Sequence, residues 1–366
     1  MVSCSIMTIE YFIRRALSLA ARAYGRTSPN PMVGAVIVKG TRIIAEGYHK
    51  KAGTPHAEAI ALEKAGARAR GATLYVSLEP CCHRDKRTPP CTEKIISAGI
   101  RKVVIAMQDP NPKVGGKGIE ELRRAGVEVM SGILEGRAQT LNEYYSRYIT
   151  TGRPFVVLKT AMTLDGKIAT PEGESKWITG EKARREVHKL RGGVDAILTA
   201  IGTVKADDPS LTCRTGRYKS PLRIIIDPRL DISPDAKVFC MPPDTIIVTR
   251  TASNTRKKNL LRKMGAKILE HTGERADLAA LMKEMGKSGI MSVLIEGGSS
   301  LNASALESGI VNKVMFFIAP KIIGGKESFP VVGGHAYRSL AQAYRVSDTV
   351  IKKFGDDILI AGYVKE

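Results

Sequence analysis

Apolar runs long enough to cross a membrane are missing from this 366-residue sequence. Stretches such as Phe155–Leu158 and Val314–Ala319 fall far short of the ~20 residues that a spanning helix needs. No basic-then-apolar leader with a small-residue cleavage site opens the chain, so export is not expected and a cytoplasmic location is. Aromatic residues are scarce, 5% with a single tryptophan, which leaves few platforms for stacking nucleobases. No five like charges stand together, no internal repeat or low-complexity tract is present, and no G-x-G-x-x-G follows a strand, so a Rossmann site is not supported. Hydrophobic residues are 43% and charged residues 25%, an ordinary globular composition.

The net charge is +21, and it is spread evenly: 23 basic against 13 acidic residues in 1–150, and 34 against 23 in 151–366. Such a surface suits small phosphorylated ligands at least as well as a polyanion, and the reading adopted is a small-molecule partner, no nucleic acid and no membrane. Six cysteines occur at 4, 81, 82, 91, 213 and 240. Three of them crowd within eleven positions, which in a reducing compartment points to a metal or to catalysis rather than to bridges.

At ~150 residues per domain the length predicts two domains, 1–150 and 151–366, with Thr150-Thr151-Gly152-Arg153-Pro154 as the boundary. In the first, a helix is expected from an N-cap at Thr8 to near Gly25, with Phe12, Ala16, Leu19 and Ala23 on one face. A hairpin about Lys39-Gly40-Thr41 follows, then strands and helices in alternation. The second repeats the alternation and ends in a hairpin around Gly355. Two α/β domains with largely parallel sheets are expected.

The strongest chemical signal is Pro55-His56-Ala57-Glu58 together with Leu78-Glu79-Pro80-Cys81-Cys82-His83, continuing to Pro90-Cys91. One imidazole and two thiolates make a three-ligand zinc site whose fourth position is left to water, and bound zinc brings that water's pKa towards neutrality. Glu58, two residues from His56, is close enough to move a proton without binding the metal. A closed structural site with His83 as fourth ligand is the alternative, but such a site has no use for Glu58. Cys4, Cys213 and Cys240 have no partners at metal spacing.

In the second half, Lys159-Thr160-Ala161 comes off a strand, Ser175-Lys176-Trp177 holds the tryptophan, and Gly202–Arg214 is a polar, turn-rich segment. Glu296-Gly297-Gly298-Ser299 reads as strand, turn and helix start, which presents backbone N–H groups to a phosphate. Packing punctuation is the plainer account of that turn. Surface salt bridges are the plainer account of Lys159, Asp165 and Arg214, and core filling that of Trp177.

The H-x-E and P-C elements resemble the zinc nucleobase deaminases. With nine residues between Cys81 and Cys91, Arg87-Thr88-Pro89-Pro90-Cys91, and the turns Asn30-Pro31-Met32-Val33-Gly34 and Asp109-Pro110-Asn111-Pro112, the chain resembles the bifunctional deaminase/reductase family of riboflavin biosynthesis over nearly its whole length. The resemblance implies a cytidine-deaminase-like α/β/α domain followed by a dihydrofolate-reductase-like α/β domain. It implies zinc on His56, Cys81 and Cys91, Glu58 as proton shuttle, and Asn30, His49 and His83 about the substrate, with Lys86 or Arg87 near its phosphate. The loop between the cysteines is one residue longer than usual in that family, with Asp85-Lys86 where a glycine is usual, so Cys82 is the alternative ligand. Cys81 is favoured because it follows Leu78-Glu79-Pro80 directly.

For the second domain the resemblance implies NADPH contacts at Ala161, Trp177, Thr203, Asp207, Gly298, Ser299, Ser300, Leu301, Asn302, Ala303 and Ser304. It implies substrate contacts at Ser175, Arg191, Leu211, Arg214 and Glu296, with Lys159 polarising or protonating the sugar carbonyl and Glu296 orienting it. The implied reactions are deamination of 2,5-diamino-6-(5-phosphoribosylamino)pyrimidin-4-one and NADPH-dependent reduction of the resulting uracil to the ribitylamino compound, in a homo-oligomer, dimer or tetramer. A polynucleotide deaminase, a zinc-stabilised binding module and a reductase with a degenerate first domain are the rival readings.

Overall fold

The computed structural model describes residues 2–83, 89–216, 218–334 and 339–365, and of residues 2–8 the backbone alone. The chain divides into two compact units, Met1–Gly152 and Arg153–Glu366.

The first unit runs α1 (Val2–Ala21), β1 (Gly34–Lys39), β2 (Arg42–Tyr48), α2 (Ala57–Ala65), β3 (Thr73–Val76), α3 (Cys91–Ser97), β4 (Lys102–Ile105), α4 (Lys117–Arg124), β5 (Glu128–Ser131), α5 (Glu135–Leu141) and α6 (Glu143–Thr151). Its sheet has the order β2-β1-β3-β4-β5, antiparallel at β2-β1-β3 and parallel at β3-β4-β5. Alternation along a strand sends successive side chains to opposite faces. Val36, Val38, Tyr75 and Val104 meet Phe12, Ile13, Ala16 and Leu19 of α1 on one face. Ala35, Ile37, Leu74, Val76, Val103 and Ile105 meet α2, α3 and α4 on the other, through residues such as Ala61, Ile95 and Leu122. The result is an α/β/α sandwich.

Two glycines set how closely its layers approach. A Cβ on Gly34 would lie 2.1 Å from the Ala16 carbonyl oxygen of α1, and one on Gly47 would lie 2.4 Å from the Ala57 carbonyl oxygen of α2. Any side chain there forces the helices off the sheet.

The second unit runs β6 (Phe155–Thr163), β7 (Lys167–Ala169), α7 (Glu181–Gly193), β8 (Ala196–Ala200), α8 (Ile201–Asp207), β9 (Leu222–Ile226), β10 (Thr245–Arg250), α9 (Thr255–Lys263), β11 (Lys267–His271), α10 (Leu278–Lys287), β12 (Ser292–Ile295), α11 (Ser299–Glu307), β13 (Lys313–Ala319), β14 (Phe329–Pro330), β15 (Val346–Phe354) and β16 (Asp357–Val364). Nine strands form one sheet in the order β11-β10-β9-β8-β12-β6-β13-β16-β15. From β11 to β13 neighbours are parallel, and the closing hairpin β15-β16 joins antiparallel. Val156, Leu158, Leu198, Ile224, Val293 and Ile295 pack on α10 and α11 through Leu281, Met285, Leu301 and Ala305. Chain order reverses between β8 and β12, and such a switch point opens a crevice at the carboxyl ends of the strands.

The structure departs from expectation at several elements. Thr8 lies inside α1, which begins at Val2 and ends at Ala21, short of Gly25. Helices α5, α6 and α8 and strands β7, β11 and β14 have no counterpart in the sequence reading. Their apolar signal is thin: α5 buries Ala138, α6 buries Tyr145 and α8 buries Val204, each a single residue, and β11 buries none fully. Tertiary contacts, rather than an amphipathic stripe, make these segments regular.

Gly34→Ala should cost about 1–3 kcal/mol in urea unfolding, because the clash is with helix backbone that cannot swing aside. Gly136→Ala, on α5 with nothing within 4 Å of the added methyl, should be neutral or stabilise by up to ~1 kcal/mol.

Candidate active sites

In the first unit, His56 is the residue that caps α2, Cys91 opens α3, and Cys81 lies on the connection from β3 to α3. The backbone N–H and hydroxyl of Thr92 donate to the Cys81 carbonyl at 3.3 and 3.5 Å, which ties Cys81 to the first turn of α3. His56 Nδ1 then lies 3.2 Å from the Cys91 sulfur and 3.6 Å from the Cys81 sulfur. The ligand atoms of these three residues all lie within 4.8 Å of one another, the one such group among the described residues. A hydrogen bond from Cys91, helped by His56, pulls the Cys81 thiol down, while that same bond and burial push Cys91 up. Imidazole and paired sulfurs at this spacing fit zinc.

Cys82 stays outside the group, half-buried, its thiol pushed up by burial. His83 stays outside it too, so the closed four-ligand site is not formed by His83. Lys86, Arg87 and the extra loop residue lie outside the described residues.

Glu58, in the first turn of α2, is 3% exposed. Burial pushes its carboxyl up, and its Oε2 has no hydrogen-bond partner. Asn30 Nδ2 lies 3.1 Å from His49 Nε2, His49 Nδ1 lies 3.2 Å from the Pro55 carbonyl oxygen, and the His49 ring stands edge-on to His56 at 5.5 Å. Asn30 and His49 are therefore contiguous with the group of His56, Cys81 and Cys91.

Three supporting residues were not singled out from sequence. Glu79, 3% exposed, accepts from the backbone N–H groups of Asp109 and Gly116 on Oε2 and of Ile119 on Oε1, at 3.0–3.1 Å. The residue beside the metal loop is thereby bolted to the Asp109–Pro112 turn and to α4. Asn142 brackets Met32, accepting from its N–H at 2.8 Å and donating to its carbonyl at 3.0 Å. Tyr145 donates to Asp109 Oδ1 at 3.1 Å. Glu79 was inside the quoted motif, whereas Asn142 caps α6 and Tyr145 sits on it, and periodicity does not reveal that helix.

In the second unit, Lys159 on β6, Glu296 at the end of β12 and Arg191 on α7 converge. Arg191 donates from Nε and Nη2 to the two Glu296 oxygens at 2.7 and 3.0 Å, and from Nη1 to the Thr212 carbonyl at 3.3 Å. Lys159 Nζ donates to Glu296 Oε2 at 3.4 Å. Burial alone would raise the Glu296 carboxyl, yet Arg191 and Lys159 hold it down at about 2. Burial lowers Lys159, with Glu296 opposing and Arg191 assisting. Lys159 is thus no surface salt bridge.

Ser175 Oγ donates to Asp207 Oδ1 at 3.0 Å, which joins a residue expected at the substrate to one expected at the cofactor. Leu211 is buried at a left-handed φ of 51°, and the Arg214 backbone N–H donates to His188 Nδ1 at 3.4 Å, leaving the Arg214 side chain exposed. Trp177 is 62% exposed under the Arg184 guanidinium, 4.6 Å from the ring, which excludes the core-filling account. Asp165 is held at about 2 by the Thr163 hydroxyl and the Gly324 and Ile323 N–H groups, so its partners are neutral.

At the β8/β12 crevice, the nearest group to a Cβ built on Gly298 is the Thr203 hydroxyl at 3.8 Å, so the approach to the start of α11 is open there. Asn302 is fully buried, donates to the Val331 carbonyl at 2.8 Å, and keeps Oδ1 without a partner. An open helix start and a spare acceptor fit the phosphates and amide of a nicotinamide dinucleotide.

Residues 7–107 match the family model of the cytidine and deoxycytidylate deaminase zinc-binding region, and residues 154–360 match that of the RibD C-terminal domain. The folds and sites define a zinc-type deaminase joined to a reductase. The chain is 45% identical over 361 residues to riboflavin biosynthesis protein RibD of Actinobacillus pleuropneumoniae, covering 98% of this chain and 96% of that one. It is 44% identical over 351 residues to RibD of Aquifex aeolicus, covering 95% and 96%. Among solved structures it is similar to Acinetobacter baumannii RibD, with a TM-score of 0.89 at 37% identity over 99% of this chain and 100% of that one. It is also similar to a Thermotoga maritima diaminohydroxyphosphoribosylaminopyrimidine deaminase/5-amino-6-(5-phosphoribosylamino)uracil reductase, with a TM-score of 0.87, 37% identity and the same coverage. The chain belongs to the RibD family of riboflavin biosynthesis. It is a bifunctional deaminase and reductase whose cofactors are zinc and NADPH. Among the described residues, no helix is long and apolar enough to cross a membrane.

Cys81→Ser should strip most of the zinc from purified protein in elemental analysis, and Cys82→Ser should leave the metal content of the parent, since Cys81 and not Cys82 stands with His56 and Cys91.

Proposed function

We propose that residues 1–150 deaminate 2,5-diamino-6-(5-phosphoribosylamino)pyrimidin-4-one and that residues 151–366 reduce the resulting 5-amino-6-(5-phosphoribosylamino)uracil. The observation that carries the reading is the three-ligand cluster beside a buried carboxylate with an unpartnered oxygen, an arrangement that serves proton transfer and has no use in a closed site. When bound, zinc acidifies a water and NADPH supplies a hydride.

Asn30, His49 and His83 hold the pyrimidine against the cluster. Glu58 takes a proton from the water and returns it to the exocyclic nitrogen, so that water enters and ammonia leaves. In the second unit, Ala161, Trp177, Thr203, Asp207 and residues 298–304 hold NADPH. Ser175, Leu211, Arg214 and Glu296 face the ribosyl phosphate, with Arg191 in the same group. Lys159, held by Glu296, delivers a proton to the sugar oxygen as the hydride reaches C1, and the ring-opened ribityl chain results. A homo-oligomer, dimer or tetramer, in the cytoplasm completes the reading.

Purified protein given the diaminopyrimidine phosphate should yield a product about one dalton heavier, from replacement of NH by O in the hydrolysis. It should gain about two more only when NADPH is present, the mass of hydride plus proton. Glu58→Gln should retain zinc and lose ammonia release by ~10²–10⁴-fold. Ammonia release unchanged in that variant would remove Glu58 from the chemistry.

A further inference from the structure

Of the three residues gathered in the first unit, two are placed by helices: His56 caps α2 and Cys91 opens α3. Cys81 has no such support, because residues 77–83 form neither helix nor strand. Its position has to come from what grips that segment. Two residues before it, Glu79 is 3% exposed and gives both oxygens to backbone N–H groups. Its Oε2 accepts from Asp109 at 3.1 Å and from Gly116 at 3.0 Å, and its Oε1 from Ile119 at 3.1 Å. The Glu79 N–H in turn donates to the Met107 carbonyl at 3.0 Å.

These partners include the start of α4. The N-cap of that helix is Gly116, at a left-handed φ of 81°, which has no side chain to offer. An N-cap side chain ordinarily accepts from the second or third helical N–H, and here the third is Ile119. Glu79 serves as that cap from a separate segment, and its charge faces the positive end of the helix dipole. Helix and segment also press together directly. A Cβ built on Gly118 would stand 2.3 Å from the Pro80 carbonyl oxygen and 3.1 Å from Glu79 Oε1, so no side chain fits between α4 and the residue before Cys81. Glu79 draws the segment onto α4, Gly118 sets how near it comes, and Thr92 of α3 holds the Cys81 carbonyl.

We propose that Glu79 is a positioning residue of the deaminase site: by capping α4 from outside the helix it fixes the Pro80–Cys81 backbone, and so sets where the Cys81 sulfur stands relative to His56 and Cys91. The inference rests on the zinc-deaminase reading and extends the site's support to α4, a helix that carries none of the three gathered residues. All three partners of the carboxylate are donors, which makes Glu79→Gln the sharpest substitution. Glutamine fills the same space, yet one of its terminal atoms is itself a donor, so N–H must face N–H at Ile119 or at Asp109 and Gly116. A buried donor left unsatisfied is costly, and the segment relieves it by moving off α4.

The test uses the full-length protein with cobalt(II) in place of zinc, whose ligand-field and sulfur-to-metal absorption bands report the placement of the sulfurs. Glu79→Gln should change the position or intensity of those bands and weaken cobalt binding by about tenfold or more, the scale on which outer groups act on a metal site. Gly118→Ala, with Glu79 intact, should move the same bands, because its methyl displaces the Pro80 carbonyl. Leu122→Ala removes a fully buried core side chain from the same helix. It should lower the urea midpoint at least as far and keep the cobalt bands of the parent.

Parent bands and parent affinity in Glu79→Gln would overturn the proposal. So would the same band change in Leu122→Ala, which would make lost stability the cause. If Glu79→Gln yields no soluble protein, Gly118→Ala decides by the same readings. If the parent releases no ammonia from the diaminopyrimidine phosphate, the deaminase reading fails, while the cobalt bands still decide whether Glu79 sets the sulfur.

Discussion

Glu79 and Glu296 are buried carboxylates, and each is answered in a different way. Glu79 spends its oxygens on three backbone N–H groups and so becomes a bolt between the metal loop and the Asp109 turn. Glu296 spends its oxygens on two cations and so becomes the hub of a charged trio. A charge taken out of water has to be met by partners of good geometry, and removing one of them leaves a penalty that far exceeds the worth of the pair. Much of the order around both sites follows from that rule. Glu58 is the exception: buried like the others, it keeps one oxygen uncommitted. The group that breaks the rule is the one proposed to move protons, and structure elsewhere in the unit has to sustain the imbalance.

The group that could hold a metal was legible because coordination chemistry demands particular atom types, and His56, Cys81 and Cys91 announce themselves by type and by the Pro-Cys context. The alternation of strands and helices was legible for the same kind of reason, since each central strand is a run of branched apolar residues and each major helix carries an apolar stripe. What stayed hidden has a common physical character. Helices α5, α6 and α8 each bury a single residue fully, so no apolar stripe marks them. Antiparallel pairing of β3 with β1 is a tertiary fact that alternation does not predict. The role of Glu79 depends on three N–H groups 30–40 positions away, and that of Arg191 on a carboxylate 105 positions away. Spacing along a chain does not encode such partners.

The two units solve the placement of chemistry alike. In each, the candidate site groups gather where strands stop and helices start: His56 and Cys91 at the starts of α2 and α3, Glu296 at the end of β12 just before α11. Strand ends supply rigidity, helix starts supply unspent N–H groups and a favourable dipole, and the loops between them supply variety. Glycine enters where backbone must come close, as at Gly34 and Gly47, where any side chain would meet the backbone of α1 or α2.

Asn142 and Tyr145 have a practical bearing on how the protein can be divided. Every zinc motif lies before residue 107, yet the braces on the Met32 and Asp109 turns come from a helix that ends at Thr151. A fragment trimmed to the motifs would keep the ligands and discard the scaffolding that aims them. The smallest faithful excision of the hydrolytic half therefore reaches Gly152, well past the last residue with any chemistry to perform.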